Sequence, residues 1–257
     1  MRQIGEYTGL KKLGKGDQGK VYKAFDDNKK QEVAIKVFYT PSEFVKVHPE
    51  LANTLEAHFE QDGSSKAANS EYKIGRSINR HPAIMKIFKR VEEYSVDGEK
   101  VTSLVMEYVD GKHLDQIGDI AYSKKVALQI AREFISALRY SFSKGYLHGD
   151  LWSENLYIDR SNHLKLIDLG SYDPLPKLRQ GEPSRGLYST YHRVIMRMLE
   201  LIIQKGKFRE HEKRTLVRSL NEVSKNSPEI QLAQESISQI DKILEQLDDV
   251  LLQATGG

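Results

Sequence analysis

Three polar side chains near the middle of the chain have the types and spacing that phosphoryl transfer requires. Asp150 and Asn155 are five residues apart, and Asp168 follows thirteen residues after Asn155. One carboxylate can accept the proton of an acceptor hydroxyl, while the amide and the second carboxylate can hold Mg²⁺ against nucleotide phosphates. We therefore assign Asp150 to the base and Asn155 and Asp168 to the metal, because positioning and charge neutralisation provide most of the catalysis of such a transfer.

A glycine-rich segment near the start of the chain has the spacing of a phosphate-binding loop. Residues 14–21 fit the pattern G-x-G-x-x-G-x-V, and the β-branched and aromatic residues around them predict strands. A dinucleotide-binding fold would instead place a helix directly after the glycines. Another strand is predicted at residues 33–38, and its lysine can neutralise the α- and β-phosphates. The predicted nucleotide contacts here are Gly14, Lys15, Gly16, Gly19, Val21, Ala34 and Lys36.

The lysine on this strand requires an acidic partner to hold its ammonium group in place. Glu71, which lies on a helix predicted over residues 66–80, competes for this role with Glu56 and Glu60. The latter two belong to the stretch 41–65, whose apolar spacing predicts an inserted helix or lid that ends in a break at residues 62–65. A plain surface insertion explains the same stretch equally well.

The remaining elements follow from the periodicity of the apolar residues. Residues 171–176 contain two prolines and predict a broken loop. Gly145 is a suitable residue to end the helix that precedes it. The other predicted elements are strands over residues 84–91, 101–109 and 164–167, a turn at residues 96–99, and helices over residues 124–144, 187–204, 208–224 and 228–253.

The composition excludes several classes of protein. The 257 residues carry a net charge of only +3, which is too small to favour a nucleic-acid partner. The chain contains no cysteine, so disulfides, thiolate metal sites and thiol catalysis are excluded. Its first residues have no apolar core of signal-peptide length, and no run is apolar enough to span a membrane. We expect a cytoplasmic protein.

These elements, in this order, resemble the eukaryotic-like protein kinases over about residues 13–170. The resemblance implies an α+β fold, built as a single domain with a β-rich N-terminal lobe (about residues 1–109) and a helical, reduced C-terminal lobe (about 110–257). It also implies a nucleotide site between the lobes, ATP and Mg²⁺ as cofactors, and a protein hydroxyl as acceptor.

The resemblance assigns further residues to this site. Glu71 becomes the preferred partner of Lys36, because Ile78 and the following His-Pro turn resemble the end of the kinase helix that carries the equivalent acid. Either His113 or Asp115 matches the position of the ribose-contacting acid. The adenine contacts implied are Met106 as gatekeeper, Glu107 through its backbone carbonyl, and Val109 through its backbone N–H and C=O.

The chain departs from ordinary protein kinases at three points. Gly149 replaces the arginine that pairs with a phosphorylated activation segment, so we expect activity without such phosphorylation. Trp152 stands where a lysine often contacts the γ-phosphate, and this loop is similar to that of aminoglycoside and fructosamine kinases. No A-P-E motif follows Gly170, and only 87 residues remain (257 minus 170).

This reduced architecture resembles the minimal effector kinases of bacterial pathogens, of the OspG and NleH type. That resemblance implies secretion into a host cell and activation by ubiquitin or a ubiquitin-charged conjugating enzyme. Three functions stay open: a serine/threonine protein kinase, a small-molecule kinase favoured by Gly149 and Trp152, and a binding module that has lost catalysis. Because every catalytic position is filled, the last is the least favoured.

Overall fold

The computed structural model describes residues 3–4, 6–47, 63–94, 100–175, 185–225 and 233–255. The chain divides into two compact units. The first contains Met1–Arg80 and Met85–Val109, and the second contains His81–Ile84 and Asp110–Gly257. Within the described residues, no helix has the length and apolar character needed to cross a membrane.

The first unit is built on a six-stranded antiparallel sheet with the strand order β1-β2-β3-β4-β6-β5. Its last two strands begin and end a few residues away from the predicted ranges 84–91 and 101–109. The turn predicted at residues 96–99 lies outside the described residues. The strands are β1 (Gln3–Ile4), β2 (Tyr7–Lys15), β3 (Gly19–Asp26), β4 (Gln31–Phe38), β5 (Ile87–Tyr94) and β6 (Lys100–Glu107).

Alternation along the strands gives the sheet one apolar face. The side chains of β4 point alternately to the two faces, so Val33, Ile35 and Val37 share a face that excludes Lys36. These three residues belong to a buried cluster, whose other members are Ile4, Tyr7, Ala24 and Val105. The sequence pattern of this strand therefore decides which face Lys36 occupies.

Two helices of this unit follow β4 in the chain. The first, α1, spans Pro41–Val47, and the second, α2, spans Gly63–Ile78. The break predicted at residues 62–65 is wrong for Gly63–Ser65, which form the first residues of α2 because the helix extends beyond its apolar stripe. Residues 48–62, which include the alternative partners Glu56 and Glu60, lie outside the described residues.

The second unit combines helices with short strands. The predicted helix over residues 124–144 is confirmed as α3, which begins after the N-cap Ser123 and ends before Gly145 at a φ of +82°. The elements are β7 (Gly111–His113), β8 (Tyr122–Ser123), α3 (Lys124–Ser143), β9 (Tyr146–His148), β10 (Leu156–Asp159), β11 (Leu164–Leu166), β12 (Tyr172–Pro174), α4 (Arg185–Gln204), β13 (Gly206–Lys207), α5 (Glu210–Lys225) and α6 (Ala233–Thr255).

The core of the second unit surrounds α3. This helix packs against α4 and α6, against β9 and against β11. Phe134, Ile135 and Leu138 on α3 are completely buried, as are Leu244 and Leu247 on α6. The helix therefore forms a fixed base beneath the polar loop that follows it.

The prediction of a loop over residues 171–176 is wrong for Tyr172–Pro174. These residues form β12, which pairs antiparallel with β9 so that Tyr172 lies opposite His148. Pro174 did not prevent a strand because β12 belongs to a two-stranded sheet and is therefore an edge strand, where proline is tolerated. Tyr172 is almost fully buried and its ring contacts that of His148, and this burial stabilises the pairing.

The α+β prediction is confirmed: a β-rich sheet precedes a mainly helical region.

We expect Gly19→Ala to destabilise the first unit by about 1–3 kcal/mol, because an added Cβ would lie 2.2 Å from the backbone oxygen of Val37. Gly16→Ala is the matched control, since its Cβ would meet no protein atom within 4 Å. Urea unfolding followed by circular dichroism measures both, and equal midpoints would contradict this account.

Candidate active site

A buried ion pair joins β4 to α2. The Nζ atom of Lys36 lies 2.7 Å from Oε2 of Glu71, and the two side chains are 13% and 2% exposed. A carboxylate removed from water to this extent is costly unless it is paired, so each partner fixes the position of the other. The structure thus brings Lys36 together with Glu71, the partner that the resemblance to protein kinases favoured.

The glycine loop, residues 14–19, connects β2 to β3. The N–H of Gly16 donates to the carbonyl oxygen of Gly19 over 2.9 Å, which closes the turn. Gly19 is required by packing, as described above. An added Cβ at Gly14 or Gly16 would meet no protein atom within 4 Å, and neither residue has a positive φ. The fold itself therefore does not require glycine at these two positions.

Gln18 is a member of this region that sequence reasoning missed. Its Oε1 atom lies 3.4 Å from Nζ of Lys36, and its carbonyl oxygen accepts the N–H of Tyr39 over 3.0 Å. Gln18 falls on one of the variable positions of the glycine pattern, so the motif carried no signal for it. Lys15 is the last residue of β2, and Val21 lies opposite Lys36 in the β3–β4 pairing.

The remaining predicted nucleotide contacts lie around β4 and β6. Ala34 and Met106 are opposite each other in the pairing of these strands, and both are buried. The N–H of Glu107 donates to the carbonyl oxygen of Lys86 over 2.8 Å. Val109, the last residue of the first unit, is half-buried. The register of β4 and β6 places Ala34 and Met106 side by side, because cross-strand neighbours share a face.

The two candidates for a ribose contact lie in the second unit and differ in their surroundings. His113 bonds through Nδ1 to the carbonyl oxygen of Glu154, and its ring meets the edge of Tyr157 at 4.6 Å. Asp115 is exposed in a short 3₁₀ turn. His113 is thus held by the fold, whereas the Asp115 carboxylate faces solvent.

The 148–155 loop, between β9 and β10, holds its carboxylate and amide together. The Nδ2 atom of Asn155 donates to the carbonyl oxygen of Asp150 at 2.8 Å and lies 3.2 Å from Oδ2 of the same residue. The backbone N–H of Ile167 donates to the carbonyl oxygen of Asn155 over 3.0 Å. Asn155 therefore connects the loop to the segment that delivers Asp168.

His148 supports this loop from below as a neutral imidazole. It is fully buried, its Nε2 donates to the carbonyl oxygen of Ile167 at 3.3 Å, and its Nδ1 accepts the N–H of Asp150 at 3.3 Å. Burial lowers the pKa of His148 from its ordinary value near 6.5 to about 4. Accepting at one nitrogen and donating at the other requires the neutral ring.

Asp168 adopts a left-handed backbone conformation, with φ 58° and ψ 67°. This conformation is uncommon for residues other than glycine, and surrounding contacts must maintain it. Ser171 supplies two of them, donating from Oγ to Oδ2 of Asp168 over 2.7 Å and from N–H to its carbonyl oxygen over 3.1 Å. No sequence motif indicated the role of Ser171.

The donor set suits a metal that is shared with a substrate. Among the residues that the structure describes, no group of three or more His, Cys, Asp or Glu side chains could form a metal site by itself. Mg²⁺ is commonly bound through one or two protein carboxylates together with substrate phosphates. One carboxylate and one amide, Asp168 and Asn155, fit that mode of binding.

Comparison with known proteins identifies the family. The family model of the protein kinase domain matches residues 7–190, and the chain belongs to this family. The matched region includes both segments predicted to take part in phosphoryl transfer: the glycine loop and the segment from His148 to Asp168.

Several curated proteins are similar to this chain. A probable serine/threonine-protein kinase KIN1 homolog of Enterocytozoon bieneusi is 33% identical over 172 residues, which cover 65% of this chain and 24% of that protein. The probable serine/threonine-protein kinase SCO3848 of Streptomyces coelicolor is 29% identical, covering 62% and 21%. The CBL-interacting serine/threonine-protein kinase 12 of Arabidopsis thaliana is 31% identical, covering 73% and 33%. The matched regions thus span between a fifth and a third of these relatives.

The depressed pKa of His148 predicts a pH-dependent stability. Below about pH 6.5 the unfolded chain binds a proton that the folded imidazole does not bind until about pH 4. The stability from the neutral ring is therefore complete above pH 6.5 and decreases toward pH 4, by at most about 1.4 kcal/mol per pH unit. Urea unfolding at pH 7, 6 and 5 should show a shallower dependence for His148→Gln. If the free energy of unfolding changed equally with pH in the two proteins, His148 would not be the source of the pH dependence.

Proposed function

We propose that this chain is an ATP- and Mg²⁺-dependent serine/threonine protein kinase, in which both units serve as one kinase domain. The observation that carries the proposal is the buried pair of Lys36 and Glu71. A cation held this firmly beside a glycine loop suits nucleotide phosphates, and the family match supports the same assignment. The similar proteins bear the names of serine/threonine kinases, which favours a protein hydroxyl as acceptor.

Each polar residue then has a separate task. Asp150 orients the acceptor hydroxyl and takes its proton as the oxygen bonds to the γ-phosphorus. The bond from that phosphorus to the bridging oxygen breaks, and ADP leaves with the electron pair. Asn155 and Asp168 would hold Mg²⁺, and the bound cation would neutralise charge on the phosphates. Lys36 binds the α- and β-phosphates, and Glu71 keeps it in place.

The nucleotide is bound mainly through backbone and apolar groups. Gly14 and Gly16 allow the backbone to approach the phosphates, since they carry no side chain. This role explains glycine at two positions where the fold itself does not require it. The adenine lies against Ala34 and Met106, and bonds to the backbone of Glu107 and Val109. We assign the ribose contact to Asp115 rather than His113, since the ring of His113 is already held by Glu154.

A small-molecule phosphotransferase is the alternative function, and one observation favours it. The side chain of Trp152, two residues after Asp150, is 54% exposed. Its backbone is fixed on both sides, because its N–H donates to Asp150 and its carbonyl oxygen accepts from Asn155. An exposed indole beside the base can stack on a small acceptor such as a sugar ring.

Incubation with γ-labelled ATP, Mg²⁺ and a cell lysate distinguishes the two functions. We expect label in protein bands, whereas label confined to small molecules would favour the alternative. Asp168→Ala should reduce transfer about 100-fold or more, the range seen when one charge-stabilising group is removed from an active site. Lys36→Ala should also cripple transfer, and it should lower stability as well because the buried carboxylate of Glu71 loses its partner. The exposed Asp249→Ala is the control, and near-normal turnover in either site variant would refute the assignment.

We further propose that the chain is an OspG- or NleH-type effector that acts inside a host cell. The support is the position of Gly149, whose N–H donates to the carbonyl oxygen of Ser171 over 2.6 Å. No arginine at this position can read an activation-segment phosphate, so control is left to another device. A host partner, ubiquitin or a ubiquitin-charged conjugating enzyme, fills that role by stabilising the paired state of Lys36 and Glu71.

The insertion that begins with α1 is a second candidate for control. Glu43 on α1 accepts from Lys20 on β3 over 2.8 Å, so the helix is tied to the strand that leaves the glycine loop. Both side chains are partly exposed, and such a pair contributes at most about 1 kcal/mol. This contact connects the insertion to the glycine loop, but it is too weak to control activity by itself.

Turnover measured with ubiquitin, with the charged conjugating enzyme and with host lysate tests this control. We expect at least one addition to raise a low basal rate. Replacing residues 48–62 by a Gly-Ser linker of equal length tests the insertion while retaining α1 and α2. If no addition and no replacement changes the rate, the chain is a constitutively active kinase and the proposal of partner control is wrong.

A further inference from the structure

Ser171 makes three hydrogen bonds that connect two parts of the candidate site. Its Oγ donates to Oδ2 of Asp168 at 2.7 Å, and its N–H donates to the carbonyl oxygen of Asp168 at 3.1 Å. Its own carbonyl oxygen accepts the N–H of Gly149 at 2.6 Å. One residue therefore contacts the metal-binding carboxylate and the residue directly before the base Asp150.

The first two bonds act on a carboxylate that the backbone alone would not hold in place. Asp168 lies in the left-handed region, and the bond from the N–H of Ser171 closes the short turn that follows it. A carboxylate accepting from a hydroxyl loses freedom to rotate, which favours one orientation of its two oxygens. The hydroxyl thus orders the carboxylate before a cation binds, so that cation binding does not have to bear this entropic cost.

The third bond fixes the relation between the two acids. Gly149 approaches this segment so closely that an added Cβ would lie 3.1 Å from the carbonyl oxygen of Ser171 and 3.0 Å from Oδ2 of Asp173. A Cβ at this position would require its neighbours to shift by a few tenths of an ångström. The small size of Gly149 thus permits a direct backbone bond between the loop of the base and the turn of the metal ligand.

We propose that Ser171 is a positioning residue that orients the Asp168 carboxylate for a divalent cation and holds it in register with Asp150. The inference rests on the proposed function and adds a residue that the motifs do not mark. It predicts that the loss of the hydroxyl weakens the binding of the cation and leaves metal-free nucleotide binding unchanged. Hydrogen-bond partners of metal ligands typically contribute 10- to 100-fold in metal affinity or activity.

The test compares the wild-type chain of 257 residues with Ser171→Ala, Ser171→Thr and Ser143→Ala. Ser143 is the matched control, because its hydroxyl also donates to the fold, to the carbonyl oxygen of Tyr140, away from the site. Mn²⁺ is titrated by electron paramagnetic resonance in the presence of a non-hydrolysable ATP analogue. A fluorescent nucleotide in EDTA reports metal-free binding, and the melting temperature reports the fold.

We expect Ser171→Ala to weaken Mn²⁺ binding about tenfold or more, with unchanged metal-free nucleotide binding and melting temperature. Ser171→Thr keeps the hydroxyl and should recover most of the affinity, and Ser143→Ala should match the wild type. In turnover, Ser171→Ala should need more Mg²⁺ for half-maximal rate, while kcat at saturating Mg²⁺ recovers.

Two results overturn the inference in distinguishable ways. Wild-type affinity for Mn²⁺ in Ser171→Ala, or a loss that extends equally to metal-free nucleotide binding, overturns the role of Ser171 alone. If the wild type binds no Mn²⁺ with the analogue, and so behaves like Asp168→Ala, the proposed function fails and the inference fails with it.

Discussion

The placement of chemistry in the first unit depends on one buried ion pair. Glu71 is almost completely removed from water, and Lys36 is the cation that compensates its charge at 2.7 Å. Removal of either partner would leave an unpaired buried charge, which is strongly destabilising, whereas the intact pair gives little net stability. The main role of the pair is therefore positional. It holds a cation on one face of the sheet, and this placement requires α2 to pack beside β4.

In the second unit, hydrogen bonds from neutral groups help to position Asp150 and Asp168. His148 stays neutral because it is buried, and it bonds in opposite senses to the backbone of Asp150 and Ile167. Asn155 and Ser171 then tie the two carboxylates to their surroundings.

Predictions from the sequence were wrong at positions where the residue types favoured a loop or a break and the structure formed a regular element. The prolines at residues 174 and 176 predicted a loop, yet the burial of Tyr172 against His148 formed a strand. Gly63 suggested a break, yet it begins α2. The neighbouring strand also requires Gly19 to lack a side chain, which the glycine motif did not indicate. At Tyr172, contacts with a residue distant in sequence outweighed the local preference for a loop.

The sequence by itself determined the strands around the glycine loop, the helix α3 and the polar residues of the motifs, and its resemblance to protein kinases implied the α+β class. The local elements follow from spacing and periodicity, which are properties of consecutive residues. Only the tertiary structure decided that Lys36 pairs with Glu71, that His148 is neutral, and that Ser171 holds Asp168. Burial and hydrogen-bond geometry arise when residues far apart in the chain come together, so no local pattern encodes them.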